Sequence, residues 1–386
     1  MEKIDFLKEH QLLLQKANKE QQFLLHCLQG SFLNPQEKLN WEYFAKQVIE
    51  HNVAGVLFNY FSKNENIVPI DVLDTFKNIY EKNIMRHILW ANEATNITNA
   101  LSENGINTVL LKGIGLADTI YPHPWLRSFS DIDFLVPQDK LLKVKDILID
   151  LGYDLIYTDS LKWLLKNNLA LSFINKKNKI YLEIHTDIVN NKWYAESTNI
   201  DMDAIWQNVI SKEINGKKVF LLSPEDNILY LSIHLAVAHG FHGLIWFYDI
   251  NEFINFYKNK INWDILFERA EKFNIVKPVY LTLLYTAIVF QNEICIKNLE
   301  HFRSFKISRF ENQLWVGNIL NNNKYAHFFF WLMPNSRTEQ FKLSLKMFFA
   351  RREHSIVKSG IYTLMLSTKT IIALLNNYFP SPRRRD

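Results

Sequence analysis

Residues 112–136 read Lys112-Gly113-Ile114-Gly115, a short apolar stretch, Tyr121-Pro122-His123-Pro124-Trp125-Leu126-Arg127, and then Ser128-Phe129-Ser130-Asp131-Ile132-Asp133-Phe134-Leu135-Val136. Asp131 and Asp133 alternate with Ile132 and run into Phe134, Leu135 and Val136. This is the pattern of a strand whose first residues turn two carboxylates the same way. Their Cα atoms would then lie about 6 to 7 Å apart on a rigid element. If their oxygens converge to about 5 Å, Coulomb repulsion at an effective dielectric near 20 is roughly 3 kcal/mol. A raised pKa, a basic neighbour such as Arg127, or a divalent cation would relieve it. An isolated Asp-x-Asp can also be a strand start whose acids face water. The glycine turn and the arginine upstream weigh against that reading.

A further acid stands where such a site would need it. Residues 169–175 and 180–188 are apolar-rich runs separated by Lys176-Lys177-Asn178-Lys179, which reads as an antiparallel hairpin. In the second run Glu183, His185 and Asp187 share one face, opposite Leu182 and Ile184. Glu183 is thus available as a third metal-side carboxylate, or is a solvent-facing acid on an edge strand. His185 reads as an orienting neighbour, or one merely tolerated, rather than a ligand.

Lys-Gly, Tyr-Pro-x-Pro, Leu-Arg, Ser-Asp-Ile-Asp-Phe-Leu-Val and then Leu-Glu-Ile-His together resemble the uncharacterised nucleotidyltransferase family of bacteria, within the polymerase-β-type superfamily. The resemblance continues through Leu222-Ser223-Pro224-Glu225-Asp226, His234-Leu235-Ala236, His239-Gly240, Asp249-Ile250 and Ile261-Asn262-Trp263, covering roughly residues 95–275. It implies an α+β core, two divalent cations, Mg2+ or Mn2+, and a nucleoside triphosphate donor, with ATP expected. One departure stands out. The superfamily usually carries Gly-Ser at the phosphate turn, whereas here Gly113 is followed by Ile114 and Gly115, so the serine's replacement is open.

The chemistry follows from the residues themselves. Nucleotidyl transfer joins an acceptor oxygen to the α-phosphorus of a triphosphate and expels pyrophosphate, so charge must be neutralised on both attacking and leaving oxygens. Two cations about 3.5 to 4 Å apart do this. Asp131 and Asp133 would bind or bridge them, and Glu183 would hold the acceptor-side ion. Residues 107–111 read as a buried strand entering the Lys112–Gly115 turn, after which residues 116–121 begin a helix. Backbone amides at that turn, with Lys112, Gly113 and Gly115, would face anionic phosphate, and Ser130 belongs to the same grip. The turn can equally be a tight connection with a solvated lysine. Arg127 would pair with phosphate or with the acids, and the sequence does not separate the two.

Composition frames the rest. At 386 residues, 48% hydrophobic and 22% charged, the chain can bury a substantial core, has a length suited to two or three domains, and is not expected to be disordered. A net charge of +4 and a pI near 8.7 do not call for a nucleic-acid partner. Cys27 and Cys295 stand far apart without ligand-like partners, so buried free thiols are expected rather than a disulfide or a zinc site. The charged start, Met1-Glu2-Lys3-Ile4-Asp5, leads into an amphipathic pattern rather than a signal core, and a cytoplasmic location is expected.

The expected fold class is α+β: a polymerase-β-like nucleotidyltransferase core of mixed sheet and helices at 105–222, an N-terminal helical region at 1–104 and a C-terminal helical region at 223–386. Apolar spacing predicts helices over about 3–30, 40–62 and 70–104, another over 138–151 ending at Gly152, and a second hairpin over 212–222. Ser223-Pro224 supplies a helix cap and a first-turn proline. Among the histidines that follow, His234, His239 and His242 are not spaced to share one narrow helical face. They read as core or cleft histidines; His234 or His239 would line the pocket if this region closes over the acids, and Asp249 is an acceptor-side candidate.

From Lys342 onward nine basic residues face only Glu353 and Asp386, interleaved with Leu343, Leu345, Met347, Phe348 and Phe349. Such a segment can make peripheral contact with an anionic membrane surface, or pack on its own domain. Residues 361–375 are too short and polar for a membrane span. Three functions follow: a nucleotidyltransferase acting on a hydroxyl or phosphate of a small molecule, peptide or protein; a catalytically inactive nucleotide-binding or regulatory protein of the same fold; and a membrane-associated scaffold.

Overall fold

Ile132, Phe134 and Val136 pack to one side of a central strand and Asp133 and Leu135 to the other. A computed structural model describes this strand and its surroundings over residues 13, 15–31, 38–64, 67–156, 161–167, 169–214, 217–302, 305, 307–321 and 330–349. Seven strands form one mixed sheet: β1 (Val109–Leu110), β2 (Ile132–Leu135), β3 (Tyr153–Leu155), β4 (Leu171–Asn175), β5 (Tyr181–His185), β6 (Ile210–Ile214) and β7 (Lys217–Leu221). Their order is β3-β4-β5-β2-β1-β7-β6. β2 runs antiparallel to β1 and parallel to β5, and β1 runs parallel to β7. The expected hairpins are β4–β5 and β6–β7.

Helices cover both faces: α1 (Lys19–Leu28), α2 (Trp41–Glu50), α3 (Ala54–Phe61), α4 (Ile70–Glu103), α5 (Lys112–Ile120) and α6 (Leu141–Asp150) before β3, then α7 (Pro224–Ile233), α8 (Leu244–Tyr257), α9 (Trp263–Lys272), α10 (Val276–Phe290), α11 (Arg309–Leu320) and α12 (Arg337–Phe349). On one face, Ile132 and Phe134 join Leu182, Ile184 and Phe173 in a buried cluster closed by Ala94, Ile97 and Leu101 of α4 and Val144 and Leu148 of α6. On the other, Val109, Leu111 and Leu135 belong to a cluster that also holds Phe44, Phe61 and Phe76 from the N-terminal helices and Phe247, Leu284 and Trp315 from the C-terminal ones. The second cluster thus draws on all three segments of the chain. Strand alternation sends Asp133, Glu183 and His185 to this second face.

At 34 residues α4 spans roughly 50 Å, so its first half packs in one cluster and its last turns in the other. Some boundaries differ from expectation. The run over 40–62 breaks into α2 and α3 at His51–Val53, where Asn52 takes the left-handed conformation with φ of 57°. Helix α5 begins at Lys112 itself, and Gly113 kinks its first turn with φ of 35° and ψ of −109°, rather than a free loop leading to a helix at 116. Residues 138–140 form a 3-10 turn ahead of α6.

After α7 the backbone continues as a π-helical turn over His234–Ala238. Lys342 and Lys346 lie on α12, where Lys346 pairs with Glu196 at 2.6 Å; the rest of the basic segment, from residue 350, lies outside the described residues. No helix among the described residues is long and apolar enough to cross a membrane.

Candidate active site

The parallel register of β2 and β5 sets Asp133 opposite Glu183, and Leu135 opposite His185. Because these positions share a face, ligand atoms of Asp133, Glu183 and His185 all lie within 4.8 Å of one another. His185 Nε2 stands 3.1 Å from Asp133 Oδ1 and 3.4 Å from Glu183 Oε2, and Lys112 Nζ lies 3.0 Å from the same Asp133 Oδ1. Asp133 Oδ2 is buried and has no hydrogen-bond partner among the described residues. Burial would raise the Asp133 pKa, but the Lys112 cation and the His185 bond hold it below the usual carboxylate range. Burial would likewise depress Lys112 and His185; in each the neighbouring acids outweigh it, so both are raised.

Asp131 sits one residue ahead of β2 and lies outside that group of three. It lines a cavity of about 150 Å³ together with Lys112, Gly113, Arg127, Ser130 and Asp133. Burial and the nearby Asp133 charge push its carboxyl up to about 6. The repulsion expected from the sequence is thus present, and Lys112 relieves it mainly at Asp133. Gly113 lets the backbone turn here at a φ that side chains rarely adopt. Gly115 does something else: a Cβ there would meet Leu110 O at 3.2 Å, so this glycine seats α5 against β1.

One of the two partners open to Arg127 is excluded, and the place of Asp249 changes. Arg127 does not pair with Asp131 or Asp133; its Nη2 bonds Asp249 Oδ2 at 2.7 Å and its Nε lies 3.1 Å from both Asp249 oxygens. Tyr121 donates to Asp249 Oδ1 at 2.5 Å. Asp249 is therefore a buried anchor joining the Tyr121–Arg127 loop to α8, with its oxygens already taken, rather than an acid facing an acceptor. Arg127 still borders the cavity, its guanidinium 4.7 Å from the ring centroid of Trp246.

His234 and His239 come together, Nε2 to Nε2 at 3.1 Å, with the Trp246 ring 4.9 and 4.5 Å from theirs. Burial first, and then the Lys112 charge, drive the His234 pKa well down, so it is neutral. The pair packs behind Trp246, which lines the cavity.

Several neighbours had no local signal in the sequence. Asn52, Arg86, Ser128, Ile245 and Trp246 also line the cavity. Asn52 could have been noticed only as part of the break in a helical run, and Arg86 is one arginine on a long helix. Tyr230 of α7 presents a buried hydroxyl without a hydrogen-bond partner among the described residues, and the charges that act on it are those of Lys112, Asp133, Glu183 and Asp131.

A mixed sheet that carries an Asp-x-Asp strand beside a lysine-glycine turn, flanked by helices, defines a nucleotidyltransferase-type α+β protein. The chain belongs to the family described as uncharacterised nucleotidyltransferase, whose profile matches residues 37–291. That span starts well before the region of resemblance read from motifs, and takes in α2, α3 and α4 with Asn52 and Arg86. The comparison with curated proteins finds no match. Membership supports the general reaction type, nucleotidyl transfer, and implies a nucleoside triphosphate substrate.

Proposed function

We propose that the protein is a divalent-metal-dependent nucleotidyltransferase that moves a nucleoside monophosphate from a triphosphate, ATP first among the donors to test, to a hydroxyl or phosphate of a small molecule, peptide or protein. The observation that carries this reading is the pairing of Asp133 and Glu183 across parallel strands, with one Asp133 oxygen buried and unpartnered beside Lys112 and the Gly113 turn. An unsatisfied buried carboxylate oxygen costs about 1–3 kcal/mol or more, and a cation is a natural partner for it. Oxygen donors from Asp131, Asp133 and Glu183 suit Mg2+ or Mn2+. His185, hydrogen-bonded between Asp133 and Glu183, fixes their orientation. Cations bound there would supply neutralisation of charge on the attacking and leaving oxygens.

The chain's own groups divide the remaining work. Lys112 stands where it can exchange Asp133 for a donor phosphate, and Gly113 of the kinked turn lines the same cavity, where its amide would be available to phosphate. Glu183, partly exposed, is the group available to draw the proton from an acceptor hydroxyl. One observation favours the second reading, a nucleotide-binding protein without turnover: Lys112 and His185 both bond Asp133 Oδ1 and would compete with a cation for that oxygen.

The test is release of pyrophosphate from a panel of triphosphates by the full chain with Mg2+ or Mn2+ and fractionated cell extract as acceptor source. Label should pass to the acceptor from the α-phosphate and not from the γ-phosphate. Metal-dependent binding of a non-hydrolysable triphosphate without any pyrophosphate release would favour the second reading, and no triphosphate binding at all would overturn both.

A further inference from the structure

The residue that follows Gly113 in the turn carries no hydroxyl; the cavity's serines, Ser128 and Ser130, come from the loop ahead of β2. Ile114, which follows Gly113, is 2% exposed and packed in the cluster beneath the sheet, so that position offers phosphate no polar side chain. Two of the cavity's cations are already engaged and buried, Lys112 with Asp133 and Arg127 with Asp249. Arg86 of α4 differs. It is exposed, lines the same cavity, and among the described residues makes no ion pair.

Its position is nonetheless fixed. Arg86 Nη1 donates to Phe129 O at 3.1 Å, and the guanidinium lies 5.7 Å from the Trp90 ring centroid. Phe129 is also the residue against which the glycine turn packs: a Cβ on Gly113 would lie 3.6 Å from Phe129 Cβ. Nearby on α4, Asn83 donates to Ser128 Oγ at 2.8 Å, and His87 pairs with Asp118 of α5 at 3.0 Å. Helix α4 is thus pinned on both sides of Arg86, to the acid-bearing loop and to the helix that carries the turn. The result is a guanidinium without an acidic partner, held next to the cavity by a helix that precedes the glycine turn in the chain.

We propose that Arg86 binds the phosphate chain of the donor triphosphate at the Gly113 turn, supplying the unengaged cation that Lys112 and Arg127 do not. The assignment rests on the nucleotidyl-transfer reading above and extends the donor site into the N-terminal helices. A guanidinium offers a planar fork of donors that matches two phosphate oxygens at once, and Arg86 uses only one of its nitrogens on Phe129.

Calorimetry on the full chain with Mg2+ tests this with three probes: a non-hydrolysable nucleoside triphosphate, inorganic tripolyphosphate and the nucleoside monophosphate. In Arg86→Gln the first two should weaken about tenfold or more, while the monophosphate stays within about twofold. Arg86→Lys, which keeps the charge without the fork, should recover part of the loss, and it carries the test if the glutamine variant does not fold. Unchanged triphosphate affinity in both variants, with the parent binding normally, would overturn the role of Arg86 and leave the nucleotidyl-transfer reading standing. Equal weakening of all three probes would mean that α4 had shifted, and would also overturn it. A parent that binds no triphosphate would remove both.

Discussion

Asp133 and Asp249 are both buried acids beside a buried cation, 1% and 0% exposed, and they differ in what is left over. Asp249 is closed: Arg127 and Tyr121 take both of its oxygens. Asp133 is open: Lys112 and His185 share Oδ1, and Oδ2 has no partner. A saturated buried pair holds segments together, whereas an unsaturated one persists where something else completes it. Both acids precede apolar residues on regular elements and both stand in stretches that carry the resemblance, so only the count of partners sets the anchor apart from the acid with an open oxygen.

The comparison breaks first at Asp249. Replacing it by Ala leaves Arg127 buried without its counter-charge, so Asp249→Ala should destabilise the protein by about 3–5 kcal/mol. Chemical denaturation would measure this, and a loss under about 1 kcal/mol would show that the pair is not the anchor described. Asp133→Asn also removes a counter-charge from a buried cation, but it keeps an acceptor oxygen and leaves Asp131 and Glu183 near Lys112, so it should cost less stability than Asp249→Ala while lowering turnover about a thousandfold, about 4 kcal/mol. Turnover retained with a collapsed midpoint would exchange the roles of the two acids.

Glu183 sharpens the open site. Glu183→Gln should keep triphosphate affinity within roughly tenfold, about 1.4 kcal/mol, yet lower turnover about a hundredfold, as the proposed division of binding to the Lys112 turn and proton removal to Glu183 requires. Parallel losses in affinity and turnover would place Glu183 on the donor side instead.

The smallest effect concerns Asp131, whose carboxyl is pushed from 3.8 up to about 6. The folded chain keeps this proton at a pH where the unfolded chain has lost it, so Asp131 contributes a fall in stability as pH rises from about 4 to about 6. In chelator-treated protein Asp131→Asn should remove that fall, raising stability at pH 7 by about 1–2 kcal/mol after allowance for partial exposure, with no difference at pH 3.5. Denaturation midpoints across this range would show it. Identical pH slopes in the two proteins would mean that the strain lies elsewhere.

Much of the site was legible because it is written locally. The alternation of Asp131, Ile132, Asp133 and Phe134, and of Leu182, Glu183, Ile184 and His185, follows from strand geometry, and both strands are present with Asp133, Glu183 and His185 on one face. Of the two partners open to Arg127, the acids of its own loop are excluded, and Asp249 faces Arg127 rather than an acceptor, because a charge near two acids in sequence need not face them. A loop and a 3-10 turn over Pro124–Leu126 carry Arg127 toward α8, 122 residues away, where Asp249 meets it. His185 sits closer to the acids than its sequence context suggested, since register across β2 and β5 brings it to Asp133 over a separation of 52 residues.

The sequence by itself determined the two strands that carry acids, the glycine turn, the hairpins and the family, because periodicity, turn chemistry and motif spacing are properties of neighbouring residues. Tertiary structure alone decided which acid keeps an unpartnered oxygen, which cation remains unpaired, and that Asn52 and Arg86 from the N-terminal helices share a cavity with Trp246 from the C-terminal ones. Those outcomes depend on strand order and on the packing of α4 across both faces of the sheet. Contacts of that kind are set by burial of apolar surface between segments distant in sequence, and no local pattern of residues encodes them.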